Sequence, residues 1–277
     1  MARFDLLGPS HLADLAGLCQ RALPDPPTAE ELGQCLFSPD QPATVRGDPE
    51  VGVVATVRQD GRGFVRLLAV DPAHRRRGHG SALLSQAAED LAEVGSITVG
   101  ADPPYFLYPG VETTQTAMLC LLERHRFQRV DANFNMEVDL EGLPPDPGGW
   151  QVASPAERPE VSDWMAEQWP NWRAEALRAL ERGTLVISRD ERGIAAFCAY
   201  DVNRRGLLGP VAARTDLFGQ GAGRPVLLGA LHSMRRAGQR RVEVVWVGPV
   251  LPYARVGGRV SRVFFVYRKD LTAKEPR

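Results

Sequence analysis

Displacing the sequence by 143 positions against itself brings one long stretch into ungapped register. Val51 meets Ile194, Gly63 meets Gly206, Gly78 meets Gly221, Gly80 meets Gly223, Leu84 meets Leu227, Ala87 meets Ala230 and Gly95 meets Gly238. The matched glycines weigh most, because each marks a backbone constraint rather than a generic apolar position. Past Gly95 the register becomes 131, with Arg124 on Arg255, Phe134 on Phe265, Asp139 on Asp270 and Leu140 on Leu271. The first copy thus carries 12 extra residues, most simply the region Tyr105-Phe106-Leu107-Tyr108-Pro109-Gly110. A chain that repeats itself in this way is expected to fold as two similar units. Between them runs Gly142-Leu143-Pro144-Pro145-Asp146-Pro147-Gly148-Gly149, a Pro/Gly linker. The expected organisation is a first domain over 1–141, a linker over 142–149 and a second domain over 150–277.

Each copy reads as an alternation of strands and helices. Val51 to Val57 is a β-branched run, Asp60-Gly61-Arg62-Gly63 a hairpin turn, and Phe64 to Val70 a buried strand. Ser81 to Glu93 places Ala82, Leu83, Leu84, Ala87, Ala88 and Leu91 on one helical face, and Ser96 to Val99 is a short strand. The second copy repeats the order with Ile194 to Val202, Leu207 to Ala213, Pro225 to Arg236 and Val242 to Val247. Ser154-Pro155-Ala156-Glu157 is a capping box that opens a helix near the start of this copy.

The chemistry concentrates in Val70-Asp71-Pro72-Ala73-His74-Arg75-Arg76-Arg77-Gly78-His79-Gly80-Ser81. A buried strand ends at a proline, and a glycine-containing loop feeds straight into an Ala/Leu-rich helix. The first N–H groups of that helix have no partner within it and carry the positive end of its dipole. Glycines let an anion approach the backbone closely and the arginines add positive charge, so the segment reads as a diphosphate cradle. A P-loop would need Gly-Lys-Ser/Thr, which is absent. A dinucleotide fingerprint needs a third glycine, where Leu83 and Val226 stand instead, and an acidic ribose ligand, for which Ala101-Asp102-Pro103 is a poor candidate and Gly248-Pro249 none.

What remains is Gln/Arg-x-x-Gly-x-Gly/Ala behind a strand and a proline. Val70, Pro72, Arg75, Gly78 and Gly80 satisfy it, and the segment resembles the GCN5-related N-acetyltransferase (GNAT) superfamily. Taken with the repeat, the chain is similar to the tandem type that includes mycothiol synthase. The resemblance implies an α/β (α+β) fold with two tandem domains, each a mixed sheet whose central parallel strands splay apart between flanking helices. It implies acetyl-CoA as the acyl donor and an amine as the acceptor. The strand Leu68, Ala69, Val70 would pair with the pantetheine arm, and the diphosphate would rest on Arg75, Arg76, Arg77, Gly78, His79, Gly80 and Ser81. In the second copy the counterparts are Val211, Ala213, Gly221 and Gly223. There Thr215 replaces the proline and Phe218 the arginine, which makes a weaker anion site.

Acyl transfer to an amine needs a neutral amine, donors for the oxyanion and an acid for the departing thiolate. In the resembling family a strand N–H beside the donor serves the oxyanion, and a tyrosine in Tyr-x-x-x-Gly-Phe serves the sulfur. Tyr253-Ala254-Arg255-Val256-Gly257 matches in the second copy, with Gly258 in place of phenylalanine. Pro252 just before it implies that the helix begins there. In the first copy the aligned residue is Leu122, and Tyr105 or Tyr108 in the insertion stands in. The catalytic candidates are Tyr253 and Tyr108, with packing as the competing role. No general base stands out among Asp201, Glu243, Glu112, His79 and His125. Trp164, Trp169 and Trp172, with Glu167 and Glu175 nearby, form either an acceptor wall or an amphipathic core.

Composition narrows the remaining classes. A formal net charge of −1 offers no basic field for nucleic acid or an anionic membrane. No apolar run reaches bilayer length and the N-terminal stretch has no signal-peptide core, so a cytoplasmic protein is expected. Cys19, Cys35, Cys120 and Cys198 sit among apolar neighbours without a CxxC pair, which reads as buried thiols, and no metal is expected. The expected activity is N-acetylation of a small-molecule amine through a ternary complex, by a monomer or homodimer. The competing expectation is a non-catalytic CoA-binding or sensing module.

Overall fold

In the computed structural model, which describes residues 4–271, the chain divides into two compact units. Unit 1 runs up to Asn133 and resumes at Val263, and unit 2 is Phe134–Arg262. Unit 1 contains β1 (Leu6–Leu7), α1 (Leu12–Ala22), α2 (Ala29–Phe37), β2 (Thr44–Asp48), β3 (Gly52–Gln59), β4 (Arg62–Val70), α3 (His79–Asp90), β5 (Ser96–Val99), β6 (Val111–Glu112) and α4 (Thr116–Arg124). Thr28 and Glu31 form a reciprocal capping box that starts α2. The β3–β4 hairpin turns on Asp60 and Gly61, both left-handed at φ +49° and +72°, as a two-residue turn between twisted strands requires. Along β3 the side chains alternate: Val53 and Ala55 pack with Leu15, Leu18, Leu32 and Leu36 of α1 and α2, while Val54 packs with Leu83, Leu84 and Leu122 of α3 and α4. Full burial of each such side chain is worth about 1.5–3 kcal/mol, so both faces hold the sheet in place.

The closing strands are β7 (Gln128–Asp139) and β13 (Arg259–Asp270), which match at the 131-residue register. They are exchanged. Tyr267 to Asp270 of β13 pair antiparallel with β5 in unit 1, and Met136 to Asp139 of β7 pair antiparallel with β12 (Arg241–Val244) in unit 2. Equal lengths and equivalent patterns let each strand fill the slot of the other. The limits 1–141 and 150–277 therefore follow the sequence repeat, whereas the compact units do not. Nor does the 142–149 segment hang free: His232 bonds the Pro144 carbonyl at 3.0 Å, and Trp150 seats on Gly229, where a Cβ would lie 2.4 Å from its ring.

Unit 2 contains β8 (Gln151–Val152), α5 (Arg158–Gln168), α6 (Arg173–Arg182), β9 (Leu185–Asp190), β10 (Gly193–Tyr200), β11 (Leu207–Ala213), α7 (Gly223–Arg236), β12 and α8 (Val250–Ala254). The capping box at Ser154 opens a 3-10 turn that runs into α5. Helix α8 begins at Val250, ahead of Pro252, whose missing N–H falls in the first turn where it has no helical partner to lose. Each unit has a mixed sheet with a single parallel pair, β4–β5 in one and β11–β12 in the other. No helix among the described residues is long and apolar enough to cross a membrane. Cys19, Cys35 and Cys198 are buried, but Cys120 is exposed on α4, on the side of the helix away from Leu122.

Candidate active site

In unit 1 the parallel pair is short. β4 matches β5 only from Gly63 to Val65, and the last bond between them is Gly100 N–H to the Val65 carbonyl at 2.9 Å. Arg66 then forms a bulge against β3, and β4 continues to Val70 without β5 beside it. The resulting cleft is lined by Leu67, Leu68, Val99, Gly100, Tyr108 and Met118. The residues inserted in the first copy fold back along it, with Ala101 N–H on the Tyr108 carbonyl. Gly110 must be glycine, because a Cβ there would lie 2.8 Å from the Phe265 carbonyl oxygen. Tyr108 donates its hydroxyl to the Asp25 carbonyl.

The bulge residue holds this loop. Arg66 and Asp102 form a fully buried ion pair, Nε to Oδ2 at 2.5 Å, and Arg66 also reaches the side chain of Gln41 at 2.8 Å. Burial pushes the Asp102 carboxyl above the usual carboxylate range, and Arg66 pulls it back. Tyr105 packs its ring over the Arg66 guanidinium and donates to Asp40, so its hydroxyl belongs to this brace.

At the end of β4, Asp71 accepts from Ala73 N–H and pairs with Arg21, which holds its carboxyl below the usual range. Helix α3 starts at His79 with left-handed Gly78 (φ +89°) as its N-cap and no side chain capping the first N–H groups. Gly80 has a packing reason as well, since a Cβ there would lie 3.1 Å from Leu121 of α4. The arginines divide. Arg75 is spent on structure, donating Nε to the Val70 carbonyl at 3.1 Å and Nη2 to the Ala22 carbonyl at 2.8 Å. Arg76, itself left-handed at φ +63°, and Arg77 stay exposed.

Unit 2 repeats the splay and changes the chemistry. β11 pairs β12 only at Leu207 and Leu208. Pro210 falls at the register of Leu67, and it has no N–H to offer. Phe218, in place of Arg75, packs tilted against Trp169, and the Trp169 indole N–H donates to the Ala213 carbonyl at 3.1 Å. Arg214, at the register of Asp71, pairs with Asp190 and Asp216. The loop backbone is alike, with Gly219 and Gly221 left-handed as Arg76 and Gly78 are, but α7 starts one position later, behind Ala222 in right-handed geometry.

The tyrosine positions differ as well. Leu122 is fully buried in unit 1, with Arg126 left-handed four residues on. Tyr253 is buried in the core of unit 2, and burial pushes its phenol up. Gly258 replaces the expected phenylalanine because a Cβ would lie 2.8 Å from the Tyr253 carbonyl oxygen. Two of the other acid–base candidates hold structural bonds. Glu243 pairs with Arg262 and accepts from Asn135, and Asp201 accepts from Gly206 N–H and Gln239. Burial, Lys269 and Arg124 lower His125. No group of three or more His, Cys, Asp or Glu placed to hold a metal occurs among the described residues.

Residues 43–128 match the sequence profile of the acetyltransferase (GNAT) domain family. Solved structures extend the likeness of fold to nearly the whole chain. A GCN5-related glucosamine N-acetyltransferase region of a fungal multi-domain GH3 β-N-acetylglucosaminidase superposes with a TM-score of 0.77 at 20% identity, covering 96% of this chain and 38% of that one. This chain thus spans well under half the length of that fungal protein. A GCN5-related N-acetyltransferase of Sphaerobacter thermophilus gives 0.72 at 19% identity, covering 98% and 95% of the two chains. A tandem GNAT protein of the clavulanic acid biosynthesis pathway gives 0.71 at 16% identity, covering 98% and 99%. Comparison with curated protein sequences finds no match.

Proposed function

We propose that the chain is an acetyl-CoA-dependent N-acetyltransferase that passes the acetyl group directly to the amine of a small molecule within a ternary complex, with the donor held in unit 1. The observation that carries this reading is the parting of β4 from β5 after Val65, next to the uncapped start of α3. The residues fit the donor. β5 leaves β4 before Leu68, Ala69 and Val70, and although the Val70 carbonyl is held by Arg75, the remaining backbone groups on that side suit an extended amide-bearing arm. The N–H groups from Arg76 to Ser81 converge on an anion, and the exposed Arg76 and Arg77 add charge.

Bound acetyl-CoA supplies an activated thioester. The β4 backbone donates an N–H where negative charge builds on its oxygen. Tyr108 lines the same cleft, and its hydroxyl, once released from the Asp25 carbonyl, would give the departing sulfur its proton. The acceptor amine gives its proton to water, since Asp201 and Glu243 are held in structural bonds of unit 2. In that unit, Pro210 and the engaged Ala213 carbonyl weaken the equivalent strand, so Val211, Ala213, Gly221, Gly223 and Tyr253 serve the fold there. A CoA-binding module without turnover is the second reading, favoured by the buried Leu122 at the tyrosine position.

The test incubates the full chain with acetyl-CoA and a panel of small amines and follows thiol release. Glucosamine belongs in the panel because the fungal region with this fold is named for it. Release with at least one amine is expected. Tight CoA binding without release across the panel supports the module, and failure to bind CoA contradicts both readings.

A further inference from the structure

Four aromatic rings step outward through unit 2. Phe197 of β10 is 1% exposed, and Trp172 lies 6.4 Å from it between ring centres. Trp169 stacks on Trp172 at 4.9 Å with 19° between the planes, and Phe218, 5.8 Å farther, is 58% exposed. Trp164 of α5 meets the same Phe197 edge-on at 5.9 Å. Its indole N–H is buried and makes no hydrogen bond.

Glu175 lies on the stripe of α6 that carries Trp172, Ala176 and Ala179, which pack in this cluster. It is 5% exposed and makes no hydrogen bond or ion pair among the described residues. Arg178 acts on it only at a distance and gives Nη2 to Asn203 at 2.9 Å. Burial without a donor pushes the Glu175 carboxyl up to about 7. A largely buried carboxyl costs stability that an apolar residue at the same place would not. The corresponding helix of the other copy, α2, buries only Leu32, Cys35 and Leu36. The acid and the indoles are thus additions made in one copy alone.

We propose that this corner of unit 2 is a binding site for an organic cation with an apolar or aromatic body. Glu175 is the counter-ion, and the body lies along the Trp169–Phe218 edge where the ladder reaches solvent. The Trp164 N–H is free to donate to a ligand oxygen. The site stands independently of acetyl transfer in unit 1.

Benzyltrimethylammonium is a suitable probe, because it carries the charge and the ring but no N–H to acetylate. Calorimetric titration of the full chain should give one saturable site. Benzyl alcohol, the neutral control, should give none. Glu175→Gln keeps the shape and removes the charge, and should weaken binding about tenfold or more. Phe218→Ala, at an exposed ring, should leave the fold intact and weaken binding about threefold. Equal affinity in Glu175→Gln, equal binding of benzyl alcohol, or no saturable heat at millimolar probe would overturn the proposal.

Discussion

Val70 and Ala213 end equivalent strands, and the fate of their carbonyls separates the two units. The Val70 carbonyl is taken by Arg75, a residue of the loop itself, so the loop is braced from within and its later N–H groups stay open. The Ala213 carbonyl is taken by Trp169, which lies outside the loop, and Phe218 packs tilted against that indole. One substitution at the arginine position thus goes with a change from a loop whose helix-start N–H groups stay uncapped to one that packs an aromatic pair. The strand beside it changes in the same sense, with Leu67 in one copy and Pro210 in the other. The fold was duplicated, and the chemistry was left to the side chains at two strand ends.

The comparison can be strained first at its two buried acids. Asp102→Asn leaves Arg66 charged and unpaired in the interior of unit 1, and should cost about 3–5 kcal/mol in denaturant unfolding. Glu175 works in the opposite sense. Its folded pKa of about 7 exceeds the ordinary 4.5, so the folded state binds the proton more tightly. Stability is then full below pH 4.5 and falls as pH rises toward 7, by up to about 3 kcal/mol. Glu175→Gln should flatten that slope and stabilise the protein at pH 8, as urea midpoints on either side of the transition would report.

Next come the two tyrosines. Tyr108→Phe should lower kcat about a hundredfold while CoA affinity holds, whereas Tyr253→Phe should leave kcat close to its original value. An equal loss in both variants would move the chemistry away from the unit 1 cleft. The smallest expected effect is at the loops. Joint replacement of Arg76 and Arg77 by alanine should weaken CoA about tenfold, and less so at high salt. Phe218→Arg should create no second CoA site, because Pro210 and the Trp169 bond to the Ala213 carbonyl remain.

Much of this contrast is legible in the amino-acid sequence. The change of register from 143 to 131 locates the insertion that lines the cleft, and β7 and β13 match over their full length at the second register. Glycine spacing marks the helix start because a left-handed N-cap needs that residue. The strand exchange is not legible, since two strands with equivalent patterns fit either slot and only tertiary packing chooses. Nor is the spending of Arg75 on carbonyls, which depends on where the end of α1 comes to lie. Arg66 reads as a polar interruption of an apolar strand. Its bulge, and the burial of Asp102 with it, arise from contacts with residues more than thirty positions away. Glu175 sits in a helix whose pattern also suits solvent exposure, and only packing against α5 buries it.

The central claim is that unit 1 alone holds the donor. Titration calorimetry of the full chain with CoA, run beside Gly78→Val and Gly221→Val, tests it directly, because both glycines are left-handed and each substitution distorts one loop. The account predicts one CoA per chain, lost in Gly78→Val and unchanged in Gly221→Val. Two CoA per chain, or loss of binding in Gly221→Val with Gly78→Val unaffected, would contradict it.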